Sequence, residues 1–194
     1  TIAYGRLQIA NGDNSNVQLL NRISDTAPVT LLGGSLLLQG LVNTYYSERI
    51  GAVTLAEGDS DLQITGSGSA FWRADLLAPS LARNPGTTVN FLGSGRLGQP
   101  ELASRILFDT PIVPVSRGLI GAWAIANSEH YAAYNPVTGV GIIGDGGFAG
   151  YDADFGAGNG QVHEVVMFLF IHQSLIDGYS SLAFEAFLKK HMLF

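Results

Sequence analysis

Apolar and polar positions along the first hundred residues fall into short runs that echo one another. Val29-Thr30-Leu31-Leu32, the pair Gly33-Gly34 and Ser35-Leu36-Leu37-Leu38-Gln39-Gly40 form one strand–turn–strand unit. Val53-Thr54-Leu55-Ala56, Glu57-Gly58-Asp59 and Ser60-Asp61-Leu62-Gln63-Ile64-Thr65-Gly66 repeat it, and Thr87 to Gly95 gives a looser third copy. Alternation with a period of two marks half-buried strands, and glycine between two such runs marks a turn. A unit that recurs every few dozen residues cannot bury its apolar face alone, so it stacks on its neighbours. The pattern predicts an all-β fold with a β-solenoid or stacked β-sheet architecture.

The same reading extends outward from these units. Arg6-Leu7-Gln8-Ile9 alternates, Asn11-Gly12-Asp13-Asn14 reads as a turn, and Val17 to Leu20 as a second strand. Pro79 interrupts Ala70 to Asn84, which therefore reads as two short strands rather than a helix. Arg105-Ile106-Leu107-Phe108 is a further strand, Pro111 and Pro114 hold the next stretch extended, and Leu119 to Ala126 is a buried strand containing Trp123. From Gly139 the chain changes character as glycines crowd together, and Val162 to Ile171 follows as an apolar strand. A short C-terminal α-helix is predicted near the end: Ser180 or Ser181 caps it, Leu182, Ala186 and Phe187 share a stripe, and Lys189, Lys190 and His191 complement the dipole in its last turns. The organisation expected is a β-rich repeat domain over 1–140, a Gly-rich loop or linker over 141–160, and a closing strand and helix over 161–194.

Composition narrows the function classes. Charged residues are 13 % of the 194, about half the share of an ordinary soluble domain, and glycine contributes 25 residues. So weakly charged a surface is either covered by Ser, Thr, Asn and Gly or buried against other subunits. Net charge is −6, with lysine confined to Lys189 and Lys190, which argues against nucleic-acid partners. Cysteine is absent, which excludes a disulfide framework and a Cys-based zinc site. No apolar run reaches the roughly 18 residues of a membrane-spanning helix. Thr1, rather than Met, at the first position fits a processed or trimmed N-terminus.

Gly51-Ala52-Val53-Thr54-Leu55-Ala56, Ser80 to Phe91, and Gly118-Leu119-Ile120-Gly121-Ala122-Trp123-Ala124 resemble the passenger-type β-strand repeats of bacterial autotransporter-associated surface proteins. The resemblance spans residues 29–126 and implies a secreted or cell-surface protein with a structural or adhesive role; it carries over no catalytic residue. Residues 162–194, through Val162-His163-Glu164-Val165-Val166-Met167-Phe168, Leu175, Asp177 and Phe184 to Lys190, resemble the end of a laminin-G or concanavalin-like domain. That second resemblance implies an element that closes a β stack.

Three constellations carry candidate chemistry. Asp145, Asp152 and Asp154, with Asn159 nearby, supply the oxygen ligands a calcium ion wants from a flexible loop, against the plainer reading of a solvated turn. Calcium there is the single cofactor candidate. Asp59 and Asp61 point the same way on a strand, the arrangement acid/base chemistry on a polysaccharide needs, although acidic turns are common for ordinary reasons. Tyr45, Tyr46, Phe71, Trp72 and Trp123, with Tyr131 and Tyr134, offer rings for sugar stacking or for packing in a core or between subunits. Adjacent aromatics place one ring on each face of a strand. The four histidines show no metal-ligand spacing, and Gly66-Ser67-Gly68-Ser69-Ala70 is no nucleophile elbow. The expectation is a non-enzymatic structural subunit of an extracellular or cell-surface fibre, present as a homo-oligomer or filament. A carbohydrate-binding adhesion module that engages surface glycans is the alternative, and a polysaccharide lyase or hydrolase the third reading.

Overall fold

The computed structural model describes residues 1–10, 21–40, 45–65, 74–94, 97–99, 104–115, 117–145 and 148. By its contacts the chain divides into a unit Thr1–Tyr151 and a unit Asp152–Phe194, and every described residue belongs to the first. The expected strand at 162–171, the closing element and the C-terminal helix lie outside the described residues.

The described part is all-β, with no helix among its residues. Its strands are β1 (Ile2–Ala3), β2 (Arg6–Ala10), β3 (Val29–Leu32), β4 (Ser35–Gln39), β5 (Tyr46–Arg49), β6 (Val53–Glu57), β7 (Asp59–Thr65), β8 (Ala74–Ala78), β9 (Leu81–Arg83), β10 (Thr88–Gly93), β11 (Arg105–Phe108), β12 (Ala124–Ala126), β13 (His130–Asn135) and β14 (Gly139–Ile142). They form three open sheets, ordered β1-β3-β6-β9, β14-β13-β12-β10-β7-β4-β2 and β11-β8-β5. The chain visits the three sheets in turn: β3, β4 and β5 fall one to each, and β6, β7 and β8 pair with them in parallel. The next triplet, β9, β10 and β11, pairs in parallel with β6, β7 and β8. Antiparallel pairing enters only at β12–β13 and β13–β14 among the described strands.

Parallel register places like residues side by side. Leu36, Leu62, Phe91 and Ala126 form one column across β4, β7, β10 and β12, and all four are fully buried. Val29 and Val53 form another on β3 and β6. Inward positions are therefore apolar at nearly every step, and this column packing is the core.

The turns between the first and second sheets explain the glycine rhythm. Tyr4, Gly33, Gly58 and Gly86 hold φ of 52°, 63°, 70° and 80° at successive corners, the left-handed region that favours glycine. The corners also bond along the stack: Tyr4 N–H donates to the Leu32 carbonyl, and Gly33 N–H to the Glu57 carbonyl. A Cβ on Gly58 would come within 3.2 Å of the Gly33 Cα, so close stacking, as well as φ, demands glycine here.

Several expectations are corrected. The expected buried strand over Leu119–Ala126 is broken. Leu119 makes an isolated bridge to Ala133, the backbone turns at Gly121, and only Ala124–Ala126 is strand. The glycine-rich stretch does not begin as a loop, because Gly139–Ile142 is β14, hairpinned onto β13. Gly139 takes φ 82°, and a Cβ on Gly141 would collide with the Phe148 ring, so these glycines serve close packing in a sheet. The strand expected at 17–20 lies outside the described residues, and β2 pairs in parallel with β4. The aspartates Asp59 and Asp61 stand on β7 itself; the turn before them is Gly58.

Candidate functional site

Polar residues line the outward face of the seven-stranded sheet. Leu36, Leu62 and Phe91 point inward, so the preceding residue on each strand points out, and register sets Arg6, Ser35, Asp61 and Asn90 side by side. Asn90 stands beside Asp61 in register. One step further back on each strand pair, Thr88 Oγ1 donates to Asp59 Oδ1 at 2.6 Å. Asp59 is thus held by a residue on β10, and Asn90 is braced from the next turn: its amide donates to Ser128 Oγ at 2.8 Å and accepts the Ser128 N–H at 3.1 Å.

Partial burial disfavours the Asp61 carboxylate's charge, and the Asp59 charge adds to this, so its pKa is raised; Arg6 and Asn90 oppose the shift. Ser35, in register between Arg6 and Asp61, is buried, and its hydroxyl has no hydrogen-bond partner. The row can accept and donate hydrogen bonds to a hydroxyl-rich ligand. The row's one carboxylate is Asp61; the neighbouring Asp59 is already engaged by Thr88, which ties β7 to β10.

A second cluster stands on the outward face of the three-stranded sheet, and the sequence reading missed it. Arg105 Nε and Nη2 donate to the two carboxylate oxygens of Asp75 at 2.9 and 2.7 Å. Tyr45 Oη donates to Asp75 Oδ2 at 3.0 Å. Asp75 is buried, with a side chain 3 % exposed, and Arg105 shields it. The pairing of Asp75 with Arg105 across β8 and β11 is the signal, visible only once strand register is known. Arg49 makes a bidentate ion pair with Asp109 on the surface and holds that carboxyl below the usual range.

The expected site residues are dispersed. Tyr45 is exposed and adjoins the three-stranded sheet, whereas Tyr46 is fully buried and belongs to the core rather than to an exposed stacking surface. Trp123 adjoins β12 and is half-buried, with the Arg83 guanidinium 5.1 Å from its ring centre. Tyr131 is half-buried beside Ile125, and Tyr134 is buried. Phe71 and Trp72 lie outside the described residues. Asp145 sits half-buried in a turn, its N–H donating to the Ile142 carbonyl and its carbonyl accepting from Phe148 N–H, both at 3.1 Å. Asp152 and Asp154 lie outside the described residues. Among the described residues no three His, Cys, Asp or Glu side chains gather where they would hold a metal ion. No helix among them is long and apolar enough to cross a membrane.

No family model matches this chain, and no curated protein or solved structure matches it either.

Proposed function

We propose that the chain is a β-solenoid and serves as a non-enzymatic structural subunit of an extracellular or cell-surface fibre, self-associating through its β edges. The observation that carries this reading is the repeated visit to three sheets with parallel pairing between successive triplets. Such a stack has one dominant axis. It lets side chains tie neighbouring strands along the axis, as Thr88 and Asp59 do. The resemblance to passenger-type repeats points the same way and favours a secreted or surface location.

The test is negative-stain electron microscopy of the chain at near-neutral pH. Filaments or end-joined rods are expected. Dispersed single particles at high protein concentration would overturn self-association.

The outward row of Arg6, Asp61 and Asn90 favours a second reading, a carbohydrate-binding adhesion module. A glycan array without hits removes it.

A further inference from the structure

Among the described strands, β2 stands at one end of the seven-stranded sheet and pairs with β4 alone. Its inward residue Leu7 is the last member of the column Ala126, Phe91, Leu62, Leu36; those four are fully buried, and Leu7 is 39 % exposed. The column therefore ends on apolar surface facing water. Arg6-Leu7-Gln8-Ile9-Ala10 contains no proline and no bulge, and its single charge, Arg6, lies at one end of the strand on the outward face.

The other edges at this end offer less. The four-stranded sheet ends in β1, only two residues long. Beside β5, residues 21–28 already lie against the end of the stack, with Ile23 N–H donating to Glu48 Oε1 at 3.0 Å and Gly51 N–H to the Ala27 carbonyl at 2.9 Å.

We propose that two copies of this chain join through β2 in antiparallel register about a two-fold axis at Gln8. This rests on the self-association reading above and names the partner surface. The sequence of β2 is self-complementary in that register. Inward, Leu7 faces the second copy's Ile9. Outward, Arg6 faces the second copy's Ala10, and Gln8 faces its own twin. No like charges meet, apolar faces apolar, and a glutamine amide both donates and accepts. At the opposite end the sheet closes with the antiparallel hairpin β13–β14. One self-complementary edge gives a closed pair through this contact, so a fibre would join such pairs through a second contact elsewhere on the subunit.

The chain contains no cysteine, so single cysteines report the geometry directly. The experiment oxidises the 194-residue chain carrying Gln8→Cys, Arg6→Cys or Ala10→Cys and reads cross-linked dimer on non-reducing gels, beside sedimentation of the wild type and Leu7→Lys. Gln8→Cys is expected to cross-link with itself, and Arg6→Cys with Ala10→Cys in a mixture but not with itself. Leu7→Lys is expected to weaken the dimer roughly tenfold or more by burying a charge in the contact. Its circular dichroism should match the wild type, and its thermal unfolding should match that of the wild type diluted until it is monomeric, because Leu7 is exposed in the single chain. An oligomer that ignores Leu7→Lys and gives no Gln8→Cys cross-link overturns this interface while leaving self-association standing. Self-cross-linking of Arg6→Cys as strong as that of Gln8→Cys overturns the two-fold register. A monomer at every concentration overturns both readings and leaves the edge to a strand of another protein.

Discussion

Inside the stack, Tyr46 and Glu48 are neighbours on the inward face of β5, and each has a polar atom with nothing to bond. The Tyr46 hydroxyl and Glu48 Oε2 are buried without partners, and only Oε1 is satisfied, by the Ile23 N–H. Burial, then the nearby Glu48 charge, raises the Tyr46 pKa to about 12, against a smaller opposing effect of Arg22. Its folded pKa thus exceeds the ordinary value near 10.0. Between these two values the unfolded chain gives up the proton first, so stability falls as pH rises through that window. Tyr46→Phe should lack this alkaline loss, and near neutral pH it should be neutral or stabilising by up to about 1 kcal/mol, because an orphaned hydroxyl is removed. Urea midpoints of both proteins, compared near neutrality and again at a pH between the two pKa values, check it; a steeper alkaline loss in the variant would refute the account. The outward–inward split of Tyr45 and Tyr46 was legible from adjacency alone. The inward Glu48 was not, because a charged residue reads as a solvent position until its strand is seen.

Between elements, the corner glycines set how closely successive strands approach. Gly58→Ala puts a Cβ 3.2 Å from the Gly33 Cα and forces φ 70° on a residue that resists it. A loss of about 1–2 kcal/mol is expected, read as a lowered denaturation midpoint with an unchanged slope. The neighbouring substitution Glu57→Ala carries no such strain and should cost less than about 0.5 kcal/mol, so the pair separates corner geometry from a general sensitivity of the turn. The first two strand–glycine–strand units were readable because their inward residues are aliphatic and their turns are glycine. The three-stranded sheet was not readable in the same way. Arg105–Phe108 and a strand within 70–84 were readable, but β5 was not, because Glu48 and Arg49 make it look like a solvated turn, and only register brings Asp75 to Arg105. β14 was hidden for the opposite reason, since glycines that allow close packing against Phe148 look like loop residues in a sequence.

For the molecule as a whole, the two ends of the described stack differ. At the hairpin end the Tyr134 hydroxyl accepts the Phe108 N–H and donates to the Phe108 carbonyl, both at 3.0 Å, standing in for a further strand beside β11. Tyr134→Phe strips both backbone groups of their partner at once. We expect a loss of about 1–3 kcal/mol and faster amide exchange at Phe108, with exchange on β4 and β7 unchanged; uniform acceleration across all strands would contradict a local cap. The stacking rhythm was legible in the sequence, but the difference between the ends was not, because it depends on which edge a distant tyrosine reaches.

The parallel pairing also fixes how far apart in the chain paired residues lie. Val29 meets Val53, Ser47 meets Asp75, Asp59 meets Thr88, Asp75 meets Arg105 and Val89 meets Ala124, separations of 24, 28, 29, 30 and 35 residues. None of these strands has to wait for a segment far downstream before it has a partner. Each strand can therefore find its parallel partner soon after both have been made, so the described strands can pair progressively in chain order.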